Sequence, residues 1–195
     1  MVLSGPRIKR EVELTNQAIT EGRHWGLGIV IDPYNDAHVG PNSVDIYLGD
    51  TLYQVTPVVQ PDGTGIVLAW DPGTVKLDPV PLDKLGHWLL DPNKLYLGHS
   101  IEWTETRGLV PILDGTSTLA RLGVSVHETA GQGEDGFAGQ WTMEISVRYW
   151  TKLRPGMRIA QILYQTLDGP SQPYQGRYQG SRGAVGPRDP LKITP

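Results

Sequence analysis

The sequence predicts a mainly β protein in which many short strands form a barrel or a sandwich behind an N-terminal helix. Turn-forming residues support this prediction first. The 195 residues include 24 glycines and 16 prolines, and turns this frequent are typical of short strands joined by tight loops. The second support is the alternation of apolar and polar residues in short runs from residue 28 onward. The length suits one domain over residues 1–195.

Residues 4–22 are predicted to form the one substantial helix. Ser4 is a suitable N-cap residue, and Pro6 falls in the first turn, where its missing N–H costs little. Gly22 provides a stop signal. A partial apolar stripe, which we expect to face the core, consists of Ile8, Val12, Leu14, Ala18 and Ile19.

The strands are predicted within residues 28–168, separated by turn signals such as Asp-Pro and Pro-Asp-Gly. Examples of runs that fit strands are Ile29–Ile31, Val44–Leu48, Thr51–Val55, Leu95–Leu97, Val124–Val126, Thr142–Val147 and Ile159–Leu163. The segment 169–195 is rich in Gly, Pro, Gln and Arg, so we expect an extended arm that packs little by itself. Such an arm is either disordered or lies across a ligand or a neighbouring subunit.

Composition excludes several classes of protein. Cysteine is absent, which excludes a disulfide framework, a thiol nucleophile and the cysteine-based zinc site of the zinc-dependent nucleobase deaminases. The net charge of −4 argues against general nucleic-acid binding, although residues 148–195 carry eight basic and two acidic side chains. No apolar run of about 18 residues and no basic-then-apolar leader occurs. We therefore expect a cytosolic protein without a membrane span.

The segment 114–123 is a candidate anion site. Its Gly-Thr-Ser start followed by Leu-Ala-Arg-Leu predicts a short helix that Gly123 ends, and the first N–H groups of a helix suit an anion. Ser117 and Arg121 are four residues apart and share one face, with Leu119 and Leu122 opposite. A phosphate or a polarised carbonyl would suit this face. The alternative is a plain capped turn with a surface arginine.

Two further segments carry possible chemistry. In the strand 142–147, alternation places Glu144 on the face opposite the apolar residues. A partly desolvated carboxylate there suits a general base, and a solvated strand residue is the alternative. In the segment 173–183, two tyrosines and two arginines spaced by glycines suit a nucleotide through stacking and phosphate contacts. A flexible tail is the alternative there.

Taken together, the segments resemble the dCTP deaminase family, which shares a fold with the trimeric dUTPases. The resemblance runs in chain order from residue 7 to residue 188 and is weakest around residues 56–90. The segments that carry it are Glu21–Arg23, Ile31–Pro33, Pro41–Gly49, Gly115–Gly123, Val126–Gly131, Gly136–Gly139, Thr142–Glu144, Leu153–Ile159 with Gln161, and the Tyr-Gln-Gly and Arg-Gly of the arm.

The resemblance implies a dUTPase-like distorted β-barrel over residues 28–168 with short helical turns, assembled as a homotrimer. It also implies sites at subunit interfaces, closed by the arm 169–195. The implied reaction is hydrolytic deamination of dCTP, or a related cytosine deoxynucleotide, to dUTP and ammonia. No zinc is implied, and Mg²⁺ only accompanies the phosphates. The implied catalytic residues are Glu144, Ser117 and Arg121, and the implied substrate contacts are Thr116, Thr118, Ala130, Glu134, Thr142, Met143, Tyr174, Arg177, Ser181 and Arg182.

Four positions depart from the pattern of the family. The departures are Thr116 for an arginine, Gly133-Glu134-Asp135 for Ile-Asp-Pro, Ser181 for a glutamine and Arg177 for a lysine. They concern substrate positioning and spare the proton-transfer group, so we expect a working enzyme with altered substrate preference. One alternative is a dUTPase-like pyrophosphatase, or a bifunctional enzyme, because Glu134 and Asp135 lie where related hydrolases place a water-activating carboxylate. A further alternative is a non-catalytic deoxynucleotide-binding relative.

Overall fold

Eleven strands and two α-helices form the regular structure of residues 1–61 and 63–188, which are the residues that the computed structural model describes. In chain order they are α1 Gly5–Thr20, β1 Gly28–Asp32, β2 Val44–Tyr47, β3 Tyr53–Pro57, β4 Val75–Pro79, β5 Trp88–Leu90, β6 Leu95–Arg107, β7 Leu109–Gly115, α2 Ser117–Arg121, β8 Val124–Ser125, β9 Ala138–Val147, β10 Thr151–Leu153 and β11 Arg158–Thr166. The mainly β fold with an N-terminal helix is therefore confirmed.

Helix α1 is slightly shorter than predicted. Ser4 occupies the N-cap position, but its side chain accepts no capping hydrogen bond from the described helix. The helix ends before Gly22, whose φ of 65° lies in the left-handed region. The predicted apolar stripe is too wide, since Leu14 and Ile19 are about half exposed. The residues of the stripe that do reach the core are Ile8, Val12 and Ala18.

Three sheets pack around one core. The largest has the order β4-β3-β6-β9-β8, with β1 also paired to β6, and the others are β2-β11-β7 and β10-β5. Buried apolar residues from all three sheets, among them Tyr96, Met143, Leu113, Ile162 and Trp88, belong to the same cluster. The 13-residue strand β6 is central, because it pairs with β1, β3 and β9. It positions the face that carries the candidate site.

Each of the seven predicted runs coincides with a strand at least in part, but β4, β5, β7 and β10 were not predicted. Strands β5 and β10 have three residues each, too few for alternation to be recognised. Strand β7 contains Pro111, which argues against a strand in the sequence, but β7 is an edge strand, where proline is tolerated. Strand β6 is much longer than predicted, because Gly98-His99-Ser100 interrupts the alternation near a register shift.

The arm packs closely against β9, and the prediction that it packs little by itself is wrong. Its backbone makes a series of hydrogen bonds with this strand: Gly180 N–H donates to the Ala138 carbonyl at 2.8 Å, Gln140 N–H to the Ser181 carbonyl at 2.9 Å, Gly183 N–H to Gln140 Oε1 at 2.7 Å and Val185 N–H to Thr142 Oγ1 at 3.0 Å. The end of the predicted arm, residues 189–195, lies outside the described residues.

Candidate active site

A cavity of about 550 Å³ lies between the arm and one face of the large sheet. Strands β3, β4, β6 and β9 form its floor, the loop 130–134 forms one wall, and the arm covers it. The residues that line it are Val55, Val67, Val75, Leu95, Leu97, Ala130, Gln132, Gly133, Glu134, Phe137, Gln140, Trp141, Thr142, Glu144, Tyr174, Tyr178, Ser181, Val185 and Pro187. Six of the predicted site residues are among them: Ala130, Glu134, Thr142, Glu144, Tyr174 and Ser181.

Glu144 lies on the floor of the cavity because β9 alternates as predicted. Met143 and Ile145 are fully buried on the core side, while Glu144 is half-buried on the cavity side. Met143, a predicted substrate contact, is therefore buried in the core and does not line the cavity of its own chain. Burial raises the pKa of the Glu144 carboxyl, against the opposing effects of its own backbone N–H, of His127 and of the Glu128 N–H. A carboxyl with a raised pKa suits proton transfer near neutral pH.

Helix α2 presents Ser117 and Arg121 to solvent, outside the cavity that Glu144 lines. Both side chains are exposed, as is Thr118, and none of the three is among the described residues around the cavity of the same chain. Thr116 is buried at the N-cap position, also away from the cavity. One chain therefore does not bring the predicted catalytic residues together.

The predicted apolar face of α2 is only half correct. Leu119 packs against the core, but Leu122 is 60% exposed. Leu122 follows the last helical residue, and Gly123 ends the helix with a φ of 79°, as predicted. The chain then turns toward the end of β9, where the Arg148 N–H donates to the Gly123 carbonyl at 2.8 Å.

Glu134 and Asp135 are neighbours in sequence but differ in their surroundings. Glu134 is exposed and lines the cavity. The Asp135 carboxylate accepts a hydrogen bond from the Gly108 N–H at 2.7 Å and another from the Ser171 hydroxyl, and the Asp135 carbonyl accepts one from the Tyr174 N–H at 2.6 Å. Asp135 therefore ties the loop to the start of the arm, and Glu134 is the carboxylate that faces a ligand.

The aromatic residues of the arm are held over the cavity by local contacts. The Tyr174 ring lies 6.1 Å from the Phe137 ring, and the Tyr174 hydroxyl accepts a hydrogen bond from the Tyr178 N–H at 3.2 Å. Ser181 is buried and donates from Oγ to the Tyr178 carbonyl at 2.7 Å. Ser181 thus shapes the arm as well as lining the cavity.

The three arginines of the described arm are placed differently. The Arg182 guanidinium lies 4.5 Å from the centre of the Trp103 ring, and Arg182 does not line the cavity. Arg177 and Arg188 each donate from Nη1 to the carbonyl of the other. Both line a second cavity of about 240 Å³ that also shares Tyr178, Val67 and further residues with the first. Arg177 and Arg188 are therefore two cations next to the candidate site.

Sequence reasoning missed the residues that close the cavity. Gln140 has the same strand parity as Glu144, so alternation alone was sufficient to find it. Tyr178 is one of the two tyrosines of the arm, but the resemblance implies a substrate contact only for Tyr174. Val67 and Pro187 lie in loops without periodicity, and no signal in the sequence pointed to them. The side chains of the floor come from four separate strands, and only the pairing of these strands brings them together.

Two further observations concern metal sites and membrane spans. Within residues 1–61 and 63–188, no three His, Cys, Asp or Glu side chains converge as a metal site. In the same part of the chain, none of the helices combines the length and the apolar character needed to span a membrane.

Comparison with known proteins identifies the family. The model of the dCTP deaminase-like family matches residues 13–167. A "dCTP deaminase, dUMP-forming" of Cytophaga hutchinsonii is 37% identical over 184 residues, which is 94% of this chain and 93% of the relative. A protein with the same description from Leptospira biflexa is 39% identical over 164 residues, which is 83% of this chain and 87% of the relative.

A solved structure gives independent support for the fold. The crystal structure of the 2′-deoxycytidine 5′-triphosphate deaminase from Agrobacterium tumefaciens superposes with a TM-score of 0.57 at 18% identity, covering 85% of this chain and 47% of that one. The chain thus spans about half of the length of that protein. The superposition shows that the two proteins share a fold. The family model matches residues 13–167, and the two relatives are 37–39% identical. These matches show that the chain belongs to the dCTP deaminase-like family.

Proposed function

We propose that the protein is a bifunctional dCTP deaminase, which converts dCTP to dUMP, ammonia and pyrophosphate in the cavity beneath the arm. The observation that carries this proposal is the pair of carboxylates in one cavity, half-buried Glu144 on the floor and exposed Glu134 on the wall. The sequence favoured dUTP as the final product, with a bifunctional enzyme as the alternative. The dUMP-forming relatives favour the alternative.

Glu144 performs the deamination as a general base. Its carboxylate takes a proton from a water molecule, the water oxygen forms a bond to C4 of the cytosine, and the C4–N bond breaks. The proton held by Glu144 passes to the leaving amine, which departs as ammonia. Partial burial, which raises the pKa of Glu144, brings the carboxyl closer to a value at which it both accepts and returns a proton near neutral pH.

Glu134 performs the second step. Its carboxylate orients a water molecule for attack on the α-phosphorus, the P–O bond to the pyrophosphate breaks, and dUMP remains. Mg²⁺ is bound in proteins through one or two carboxylates together with phosphate oxygens and water. Glu134 and Glu144 are the carboxylates among the described residues that line the cavity. Glu134 would therefore help to hold an ion that enters with the nucleotide and neutralises its phosphates.

A homotrimer would complete this site. Ser117 and Arg121 are exposed on α2, and next to α2 the side chains of Leu122, Tyr149 and Trp150 are 60%, 70% and 64% exposed. Large apolar side chains grouped on a surface are typical of a protein–protein contact. If a neighbouring subunit covers it, the α2 of one subunit delivers Ser117 and Arg121 to the cavity of another, where they orient the water and the phosphates.

Incubation of the purified protein with dCTP and, separately, with dUTP tests the proposal. Ammonia and pyrophosphate are measured independently. We expect equal amounts of ammonia and pyrophosphate from dCTP, with dUMP as the nucleotide product. Release of ammonia with dUTP as the final product would instead support a deaminase that does not release pyrophosphate. Pyrophosphate from dUTP without ammonia from dCTP would indicate a dUTPase-like enzyme, and binding without turnover would indicate a non-catalytic relative.

A further inference from the structure

The floor of the cavity is an aliphatic surface that begins beside Glu144 and continues across three more strands. Leu97 of β6 pairs directly with Glu144 of β9, and Leu95, two residues before it, pairs with Val55 of β3. Val75 of β4 lines the same cavity. Because paired strands lie about 4.8 Å apart, this surface extends roughly 14 Å from β9 to β4.

The arm covers this surface without filling the space above it. Val185 and Pro187 line the cavity from the arm, and Val185 is fixed there by its hydrogen bond to Thr142. The cavity of about 550 Å³ remains under them and falls within the size range of ligand pockets. The aliphatic surface is therefore accessible to a ligand that also reaches Glu144.

Polar side chains also line the cavity, from the loop and from the arm. Gln132 and Glu134 line it from the loop, and Tyr174 and Ser181 line it from the arm. The deoxyribose belongs with these polar side chains and the phosphates belong beside Arg177 and Arg188 in the adjoining second cavity, because a charged group placed against aliphatic side chains would lose its hydration without gaining a partner. A pyrimidine ring with its C4 at Glu144 covers only the part of the floor next to β9 and β6. The surface beyond the ring is left for a substituent of the base.

We propose, on the basis of the proposed deamination at Glu144, that this aliphatic floor binds an apolar substituent at C5 of the cytosine, so that the protein acts on 5-methyl-dCTP. C5 is bonded directly to C4, so a group on C5 lies next to the atom that is attacked and meets the residues that flank Glu144, first of all Leu97 and Leu95. The reaction keeps the same balance as with dCTP. Water supplies the oxygen at C4, the C4–N bond breaks, ammonia leaves, and the base becomes thymine.

The first test compares dCTP, 5-methyl-dCTP and 5-hydroxymethyl-dCTP by ammonia release. We expect kcat/KM for the methyl compound to be at least equal to that for dCTP and up to about fourfold higher, since burial of one methyl group on an apolar surface favours binding by a factor of this order. We expect the hydroxymethyl compound to be at least about tenfold poorer than the methyl compound, because its hydroxyl would be buried without a hydrogen-bond partner. Equal rates for the two substituted compounds would contradict an aliphatic subsite.

Paired variants test the position of the subsite. Leu95→Phe enlarges a side chain on the floor, and Leu89→Phe makes the same change at a half-exposed position of β5 outside the cavity. We expect Leu95→Phe to lower the ratio of kcat/KM for 5-methyl-dCTP to that for dCTP by about tenfold, while Leu89→Phe leaves the ratio unchanged. If Leu95→Phe lowers kcat/KM for dCTP and for 5-methyl-dCTP by the same factor, the proposal is overturned.

Binding separates this inference from the proposed function. Calorimetry with the Glu144→Gln variant measures affinity for dCTP and 5-methyl-dCTP without turnover. Failure of the wild type to release ammonia from dCTP would refute the proposed function, whereas comparable affinities for the two nucleotides would still support the subsite. If dCTP is deaminated and bound while 5-methyl-dCTP is neither, the subsite does not exist and the proposed function stands.

Discussion

At the scale of the residue, Glu144 combines a cost to stability with a chemical use. Glu144→Gln keeps the shape of the side chain and removes the base, so we expect deamination to fall at least about a thousandfold while nucleotide binding persists. In the wild type, the raised pKa shifts the acidic loss of activity to a higher pH than an unperturbed glutamate would give. Ammonia release measured against pH in both proteins checks this.

The same carboxyl should lower the stability of the folded protein at neutral pH. Because its pKa is higher in the folded than in the unfolded chain, its contribution to stability is fully present below the ordinary glutamate pKa and is lost as the pH rises through the raised value. Glu144→Gln removes this loss, so at neutral pH its thermal midpoint should exceed that of the wild type by about 2 °C or more. An unchanged midpoint would show that the carboxylate is well compensated.

A second prediction at this scale is that Glu134 and Asp135 have different roles, the first in pyrophosphate release and the second in stability. Glu134→Gln should leave ammonia release from dCTP within a few-fold of wild type and lower pyrophosphate release at least about a hundredfold, so that dUTP accumulates. Asp135→Asn is the matched control, and its main effect should be lower stability, because Asp135 holds Gly108, Ser171 and Tyr174. Product analysis by chromatography distinguishes the two. Loss of both steps in Glu134→Gln would contradict the division of roles.

The positions of single residues could be predicted where alternation or local spacing decides them. Glu144 lines the cavity because its strand alternates. Leu122 was misplaced because it follows the last turn of α2, where helical periodicity no longer applies. The difference between Glu134 and Asp135 could not be predicted, since it depends on partners at Gly108 and Ser171 that only the fold brings near.

At the scale of the element, the arm shows why contacts matter more than composition. Its Gly, Pro and Arg content suggested a segment that packs little, but its partners lie about forty residues away in β9. Those hydrogen bonds could not be seen in a pattern that extends only a few residues. Strands β4 and β10 could not be predicted from the sequence for a related reason, because their pairing with β3 and β5 defines them.

The arm also predicts which arginine replaces the charge that Thr116 lacks. Arg188 lines the second cavity beside Arg177, whereas Arg182 lies over Trp103. Arg188→Ala should raise the dissociation constant of dCTP about tenfold or more and weaken its dependence on salt, because a charged hydrogen bond to phosphate is lost. Arg182→Ala should change nucleotide affinity much less. Titrations at low and high salt with both variants make the comparison, and a reversed order would place the phosphates near Trp103.

At the scale of the whole molecule, the arm is separable from the core. Among the described residues, the buried apolar side chains all precede Gly169, and the last of them is Tyr164. A protein that ends at Gly169 should therefore fold and keep its oligomeric state, while nucleotide binding weakens sharply because the cover of the cavity is gone. Light scattering and kinetics of the truncated protein check both. Dissociation into monomers would show that the arm joins subunits, and full activity would leave it no part in the site.

Subunit mixing tests whether one site is built from two chains. Arg121 lies outside the cavity of its own chain, so Glu144→Gln and Arg121→Ala proteins should each be inactive alone. When the two are co-expressed, a site that takes Glu144 from one subunit and Arg121 from its neighbour is intact in about one quarter of random arrangements. About a quarter of the wild-type deaminase activity should therefore return. If mixing restores nothing although mixed oligomers form, Arg121 acts within its own chain, and the exposed group of Leu122, Tyr149 and Trp150 has another role.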